Sequence, residues 1–308
     1  MIRQMISVII PLYNKATTIE RAIRSVLNQT VQDFELIVVN NGSTDGSEDV
    51  VRTFDDQRIT LISQDNQGVS MARNRGIDAS NSEWVTFLDA DDEWRPTFIE
   101  TVLRLHEKYE DCNVCATSYQ KFNVKGDIQD IKLCKIPEGD SFRLDNYFEV
   151  ASESDPPFCS ISVMVKKSAL LSIGGFPKGV HQGEDLLTWA RLAANNKIAY
   201  CREPQSIFYT GETSSMDKPK REPAKDDIVG KELERLYKSF PNLVGLRHYI
   251  AKWHKMRASI YLRLPKQAKE CRKEVRHAQQ WYHNNRLIYY QILSHIPYSL
   301  RMKLLKNI

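Results

Sequence analysis

Trp84-Val85-Thr86-Phe87-Leu88-Asp89-Ala90-Asp91-Asp92 is the stretch whose chemistry sets the architecture. Its first five residues are mostly apolar and β-prone, the pattern of a strand buried on both faces, as in a parallel sheet. The run then ends in three carboxylates. Dehydrating an uncompensated carboxylate costs several kcal/mol or forces it to take up a proton, so a cationic partner is expected at this strand end. Asp89 and Asp91 alternate along the chain and could both reach a hard divalent ion, which commonly keeps waters and binds substrate phosphates through one or two protein carboxylates. The same residues also read as a solvated acidic loop leading to a helix at Pro96, with Asp92 and Glu93 favouring its N-terminus.

Upstream, Ile6 to Ile10 is a β-branched run stopped at Pro11, which suits a buried first strand. Lys15 to Asn28 carries apolar residues at helical spacing, at Ile19, Ala22, Ile23, Val26 and Leu27. A second strand, Phe34 to Val39, runs into the polar loop Asn40-Asn41-Gly42-Ser43-Thr44-Asp45-Gly46-Ser47 and a helix near Glu48 to Phe54. Ile59 to Ser63 reads as a third strand and Gly68 to Ala79 as a helix. Strand and helix thus alternate four times, which predicts a doubly wound α/β sheet with mostly parallel strands flanked by helices. Ligands of such sheets bind beyond the carboxyl ends of the strands. Pro11-Leu12-Tyr13-Asn14, the loop from Asn40 to Ser47, and Asp89 to Asp92 all fall there, so three loops are expected to converge. The first turn carries neither a Gly-x-Gly-x-x-Gly nor a P-loop, which argues against ordinary dinucleotide and P-loop sites.

Downstream, the expected elements are a helix from Pro96 through His106, strands near Val114 to Phe122, Ile128 to Cys134 and Ile161 to Val165, and a short helix from Ser168 to Ile173. A helix over Asp185 to Asn196 and a strand at Ser206 to Tyr209 complete this part. Phe122 to Asp155 otherwise shows no readable pattern. From about Asp226 the pattern is helical to the end, with a break at Pro297. The domains read as a catalytic unit over 1–225, with halves near 1–95 and 96–225, and a helical region over 226–308.

At 308 residues, 42% hydrophobic and 27% charged, the composition is that of an ordinary globular chain. No apolar run approaches the roughly 18 residues needed to cross a bilayer, and the N-terminus lacks a signal-peptide plan, so a cytoplasmic protein is expected. The six cysteines are scattered through element-like segments and read as reduced core residues. Charge is uneven. Pro241 to Ile308 holds 14 Lys and Arg against two acids, a net of +12 in a chain whose total is +4, so the rest carries −8. Residues 287–308 mix Ile, Leu and Tyr with basic residues, which fits an interfacial helix on an anionic membrane surface, on the inner face of the cell membrane. Packing on the acidic body, or a dimer interface forming a homo-oligomer, fits the same stripe. No nucleic-acid-binding motif is present, so nucleic acid is not an expected partner.

Five signatures, in order, resemble glycosyltransferase family 2, the inverting nucleotide-sugar transferases of GT-A (Rossmann-like) fold. They are Val8 to Asn14, Ile37 to Asp45, Gly68 to Gly76, Phe87 to Asp92, and Gly174-Gly175-Phe176 before Gly183-Glu184-Asp185. The resemblance spans residue 5 to about 212. It implies sugar transfer from a nucleoside-diphosphate sugar, with a UDP-sugar expected, to a hydroxyl of a saccharide or lipid-linked acceptor in surface polysaccharide or glycolipid synthesis.

By that resemblance Pro11, Tyr13, Asn14, Asn41, Arg73, Asp89 and Ala90 line the nucleotide-sugar site, and Asp91 binds the divalent cofactor, Mn²⁺ or Mg²⁺. Arginine meets phosphate oxygens bidentately, which suits Arg73 or Arg75 to the diphosphate; alternate residues on a helix face apart, so only one does so. Glu184-Asp185 matches the family's acidic pair, with Asp185 as general base, because an acceptor hydroxyl needs a carboxylate to take its proton as it attacks, and Glu184 orienting the acceptor. Taken alone, acids at a helix start also read as caps. The sequence departs from the family in two places. Asn40-Asn41 stands where two aspartates are usual, although Asn41 can still accept and donate to a pyrimidine. Tyr209-Thr210-Gly211-Glu212 stands where a Tyr-Arg-x-His segment is usual, so Glu212 takes the histidine's place, while His181 lies near the acidic pair in sequence. These departures leave room for a non-catalytic nucleotide-sugar-binding protein on a transferase scaffold.

Overall fold

The structure, a computed structural model, describes residues 6–123, 125–210 and 222–305. In the first half, β1 (Ile6–Leu12), α1 (Ile19–Leu27), β2 (Phe34–Asn41), α2 (Ser47–Arg52), β3 (Ile59–Gln64), α3 (Val69–Ala79) and β4 (Trp84–Phe87) alternate. Then come β5 (Glu93–Trp94), α4 (Phe98–Lys108), β6 (Val114–Phe122), β7 (Ile128–Asp130), β8 (Ser141–Arg143), α5 (Tyr147–Glu153), β9 (Val163–Lys166), α6 (Lys167–Ser172), α7 (Glu184–Asn195) and β10 (Ile198–Tyr209). Five helices follow, α8 (Ile228–Ser239), α9 (Leu246–Arg263), α10 (Ala268–Trp281), α11 (Asn285–Leu293) and α12 (Tyr298–Leu305).

The strands form one sheet in the order β3-β2-β1-β4-β9-β6-β10-β5, with β7 on β6 and β8 on β10. The four strands on the β3 side run parallel, as the alternation of strand and helix requires. Beyond β4 the pairing turns mixed: β9 runs antiparallel to both β4 and β6, whereas β10 runs parallel to β6. β1 and β2 are buried on both faces, which explains their unbroken runs of Val, Ile and Leu.

Several elements differ from the sequence reading. β1 continues through Pro11 to Leu12, in register with Val39 and Asn40. α1 begins at Ile19 because Lys15 to Thr18 form a turn, in which Thr18 and Ile19 N–H donate to the Lys15 carbonyl. β10 starts at Ile198 rather than Ser206. Its polar centre, Arg202-Glu203-Pro204, hides it, and the register shifts on either side of Pro204 let a proline sit within the strand. The β-prone run after Ile128 pairs only as far as Asp130, and Ser160–Ser162 is a 3₁₀ turn leading into β9. Phe122 to Asp155 contains β8 and α5, whose Tyr147, Phe148 and Val150 are core residues. All six cysteines are free thiols, with Cys112, Cys115, Cys201 and Cys271 buried.

Two large cores lie on the two faces of the sheet. One gathers Val8, Ile10, Ile23 and Leu36 with Trp94 and Phe98. The other joins Phe87, Phe158, Phe176 and Trp189 to Val229, Leu233, Leu246, Ile250 and Trp253. The start of the expected C-terminal helical region, α8 and the first half of α9, is therefore built into the same core as α5 and α7. A smaller core of Ala258, Cys271, Val275, Ala278 and Leu287 holds α9 to α10 and α11. No helix among the described residues is long and apolar enough to cross a membrane.

Candidate active site

Because β1, β2 and β4 are parallel and in register, their carboxyl ends deliver Leu12, Asn40-Asn41 and Leu88-Asp89 side by side. The loops beyond them are tied together by side chains. Asn14, in the left-handed region at φ 51°, accepts from Thr44 N–H at 2.8 Å, and its own N–H donates to Ser43 Oγ at 3.1 Å. Lys15 N–H donates to Ser47 Oγ and Ala16 N–H to Asp45 Oδ2, so a Ser/Asp-rich turn holds the first loop in place.

Asn41 is buried and braces the neighbouring loop. Its Oδ1 accepts from Gln64 Nε2 at 2.9 Å and Gln67 N–H at 3.1 Å, while Nδ2 donates to Asn66 Oδ1. Asn40 accepts from Ser43 N–H and donates to Glu48. Tyr13 stands exposed beyond β1, Pro11 is half-buried in the strand, and Ala90 is buried behind the acidic cluster.

The three aspartates meet three different environments. Asp89, part-exposed, accepts from Arg73 Nη2 at 2.7 Å. Asp91 Oδ2 lies 2.5 Å from Lys15 Nζ, and the Asp91 carbonyl accepts from Arg21 Nη2. Asp92 is only 1% exposed; Oδ1 accepts from Tyr209 N–H at 2.8 Å, and Oδ2 has no hydrogen-bond partner among the described residues. Burial, and then the charges of Asp89 and Asp91, push the Asp92 carboxyl far up. Arg21 stacks over the Tyr209 ring at 3.6 Å from its centroid, closing this end of the cleft. Sequence reasoning passed over Lys15, Arg21 and the burial of Asp92, because each partner lies about 70 residues or more away along the chain. Tyr209 was visible as the end of a strand and the first residue of a displaced motif, not as a partner of Asp92.

Arg73 joins the two halves of the cleft. It is 3% exposed, with Nη2 on Asp89 and Nη1 3.9 Å from Glu184 Oε1, and its guanidinium lies 5.1 Å from the centre of the Phe176 ring. Its Nε and Nη1 have no hydrogen-bond partner among the described residues. Arg75 points to solvent, as alternation on a helix requires. Neighbouring Asn74 clamps Phe176 through both its N–H and its carbonyl, fixing the chain that leads to the acidic pair.

Glu184 and Asp185 open α7 after Gly183, which adopts φ 81°. Asp185 Oδ1 accepts from Leu186 N–H at 2.7 Å. Burial, then the adjacent Asp185, push Glu184 up to about 7, while Arg73 opposes this. Burial also raises Asp185, against the same guanidinium. His181 is exposed and lies beside Gly68 at the start of α3, and Glu212 falls outside the described residues.

The arrangement therefore gathers Asp89, Glu184 and Asp185 around the buried Arg73, with Asp91 and Asp92 beside them. Asp89, Asp91 and Asp92 supply hard oxygen donors, the type that a divalent cation such as Mg²⁺ or Mn²⁺ prefers, and Asp92 Oδ2 has no hydrogen-bond partner among the described residues.

The family model of glycosyl transferase family 2 matches residues 7–162, about half of the chain. A glycosyltransferase of Rickettsia bellii is 30% identical over 70% of this chain and 30% of its own length. The related proteins of Rickettsia felis and Rickettsia conorii are each covered over 35%, so the match spans about a third of these curated relatives. A putative teichuronic acid biosynthesis glycosyltransferase of Bacillus subtilis, TuaG, is 28% identical over 76% of this chain and 90% of its own. Among solved structures, Staphylococcus aureus TarS 1-349 in complex with UDP-GlcNAc superposes with a TM-score of 0.66 at 16% identity, covering 94% of this chain and 86% of that one. That likeness establishes the GT-A fold.

Proposed function

The chain belongs to glycosyl transferase family 2, and we propose that it moves a sugar, with inversion, from a nucleoside-diphosphate sugar to a hydroxyl of a saccharide or lipid-linked acceptor. The single observation that carries this reading is Arg73, a buried guanidinium shared between Asp89 at the end of β4 and Glu184 at the start of α7. It couples the side of the cleft suited to the donor to the side suited to the acceptor.

In the reaction, Asp185 takes the proton of the acceptor hydroxyl as that oxygen attacks the anomeric carbon from the face opposite the diphosphate. Burial raises the basicity of Asp185, and the charge of Arg73 opposes that rise. Glu184 orients the acceptor. Asp91, with Asp89 and Asp92 nearby, would hold a divalent cation, which when bound would supply charge that offsets the departing nucleoside diphosphate. Lys15, the present counter-ion of Asp91, is placed to meet a phosphate oxygen when the donor enters. Tyr13, exposed beside the base loop, offers a ring for stacking.

UDP is the nucleotide we propose first, supported by the TarS complex with UDP-GlcNAc. Asn41 is engaged by its own loop, so base selection falls to loop shape and to Tyr13. The TuaG relative supports surface polysaccharide synthesis as the setting. We place the protein at the cytoplasmic face of the membrane, held there by the apolar and basic surface of α11 and α12.

The test is direct. Incubated with Mn²⁺ and a panel of nucleotide sugars, the protein releases nucleoside diphosphate, and Asp91→Ala and Asp185→Asn each abolish release while circular dichroism and thermal unfolding stay native. Full turnover in both variants overturns the assignment.

A further inference from the structure

Between the start of α7 and the C-terminal helices lies a cavity of about 230 Å³. Its apolar wall includes Leu186 of α7 and Tyr249, Trp253 and Met256 of α9, and its charged groups are Lys252 and Asp155. The cavity borders the acidic turn: Leu186 directly follows Asp185, Tyr249 Oη donates to the Leu186 carbonyl at 3.0 Å, and Trp253 stands against Gly183. Met256 is 40% exposed, so the cavity opens on its side. It is smaller than the roughly 300–1,000 Å³ of a pocket that encloses a whole small molecule, and so suits one segment of a longer ligand. Its α7 and α9 walls lie outside residues 7–162, the span of the family match.

Charge decides what that segment carries. Lys252 Nζ donates to the Ala151 and Ser154 carbonyls at 2.6 Å each, capping α5, and an ammonium has a third donor to offer. Lys255 follows on the same face of α9, and Arg286 stands at the start of α11, which packs on α9. None of these three cations has a carboxylate within 4.0 Å among the described residues. The acids around them are matched elsewhere, Asp155 by Lys121 at 2.9 Å and by the Lys132 N–H at 3.0 Å, and Glu149 and Glu153 by Lys135. Burial, then the charge of Lys255, push the Lys252 ammonium down to about 8, and burial, then Arg286, lower Lys255 as well. Like charges crowd together here, and an anion among them relieves the repulsion. Past Arg286, α11 carries the exposed Ile288 and Ile292.

We propose that the cavity and these three cations hold a phosphate group and the apolar chain joined to it, the anchoring end of a lipid-linked acceptor whose sugar lies at the Glu184-Asp185 turn. The inference rests on the transferase reading and narrows its acceptor to a glycosyl phosphate of an apolar alcohol. Lysine and arginine donors meet the phosphate oxygens through charge-assisted hydrogen bonds. The first methylenes of the chain bury against Tyr249, Trp253 and Met256, and the remainder runs out toward the apolar row of α11. Free phosphate gains the charge without the burial, and a neutral amphiphile gains the burial without the charge.

The experiment titrates the whole chain by calorimetry with decyl phosphate below its micelle concentration, beside inorganic phosphate and the neutral decyl maltoside. One equivalent of decyl phosphate should bind at least about tenfold more tightly than either control, since each buried methylene is worth about fourfold in affinity. Lys252 also caps α5, so the decisive variants are Lys255→Glu and Met256→Glu, shown to be folded by circular dichroism. Each should weaken decyl phosphate at least about tenfold, by placing a like charge beside the phosphate. A parallel turnover assay offers decyl phosphoglycosides and the decyl glycosides of the same sugars as acceptors, and kcat/KM should be at least about tenfold higher for the phosphoglycosides. Absence of transfer to both series overturns the transferase reading, while the titration, which needs no turnover, still decides the site. No binding of decyl phosphate, equal binding of either control, parental affinity in either variant, or equal use of the two acceptor series overturns the proposal.

Discussion

At the scale of single residues, the cleft is governed by how much charge it can keep ionised out of water. Glu184 is pushed up from an ordinary 4.5 to about 7, and Asp185 is raised as well, so deprotonation of the pair extends into the neutral range. Turnover per unit substrate concentration, kcat/KM, should therefore climb with pH through about 7. Arg73→Met removes the charge that favours the ionised forms, so the midpoint should move to higher pH, which a pH–rate profile reads directly. The stability sign is opposite. The folded protein holds the Glu184 proton more tightly than the unfolded chain, so folding loses free energy as pH rises from 4.5 to about 7. Glu184→Gln should raise stability by about 1–3 kcal/mol at pH 8 and leave it little changed at pH 4.5, as measured by thermal or urea unfolding at the two pH values. The positions of Asp91 beyond β4 and of Asp185 at the start of α7 were legible from sequence because short motifs bracket them. Lys15 on Asp91 and the inward turn of Arg73 were not, because a counter-ion pair across 76 residues leaves no trace in local spacing.

At the scale of elements, the strand and helix alternation of the first 90 residues was legible because strands buried on both faces demand unbroken apolar runs. α5 and β8 were not, since α5 is short and β8 is a three-residue edge strand with polar flanks. Another feature invisible in the sequence is the contact between Gly183 and Trp253. Gly183 caps the helix bearing the acidic pair at φ 81°, and a Cβ there would stand 2.5 Å from Trp253 Cζ3 of α9. The C-terminal helix thus sets the position of the Glu184-Asp185 turn from behind. Gly183→Ala imposes both left-handed strain and overpacking, so a loss of about 1–3 kcal/mol is expected. If α9 positions the Glu184-Asp185 turn for the proposed reaction, kcat should fall while the Kd for the nucleotide, measured by calorimetry, stays near that of the parent. A variant with native kcat would show that the contact serves packing alone.

At the scale of the whole molecule, the excess of positive charge after Pro241 was plain in the sequence, but which helices face the body and which face outward was not, because one apolar stripe serves either purpose. α8 and the first half of α9 complete the main core, so ending the chain at 225 should abolish cooperative unfolding. α11 and α12 are different. Ile288 and Ile292 stand 54% and 58% exposed one turn apart on α11, and Leu300 and Leu304 repeat the spacing on α12. An apolar row this open, carried by a segment with no Asp or Glu and with Arg286 and Lys303 exposed, complements an anionic lipid surface in both charge and hydrophobicity. The protein should sediment with vesicles containing phosphatidylglycerol and not with neutral phosphatidylcholine vesicles, and salt should weaken binding because each basic residue near the surface is screened. Burying each half-exposed isoleucine contributes roughly 1–2 kcal/mol, so Ile288→Ser with Ile292→Ser should weaken binding at least about thirtyfold without lowering turnover on a soluble acceptor. Equal binding to both vesicle types would strip the charge complementarity from this reading, and no loss in the double variant would mean that this face meets something other than lipid.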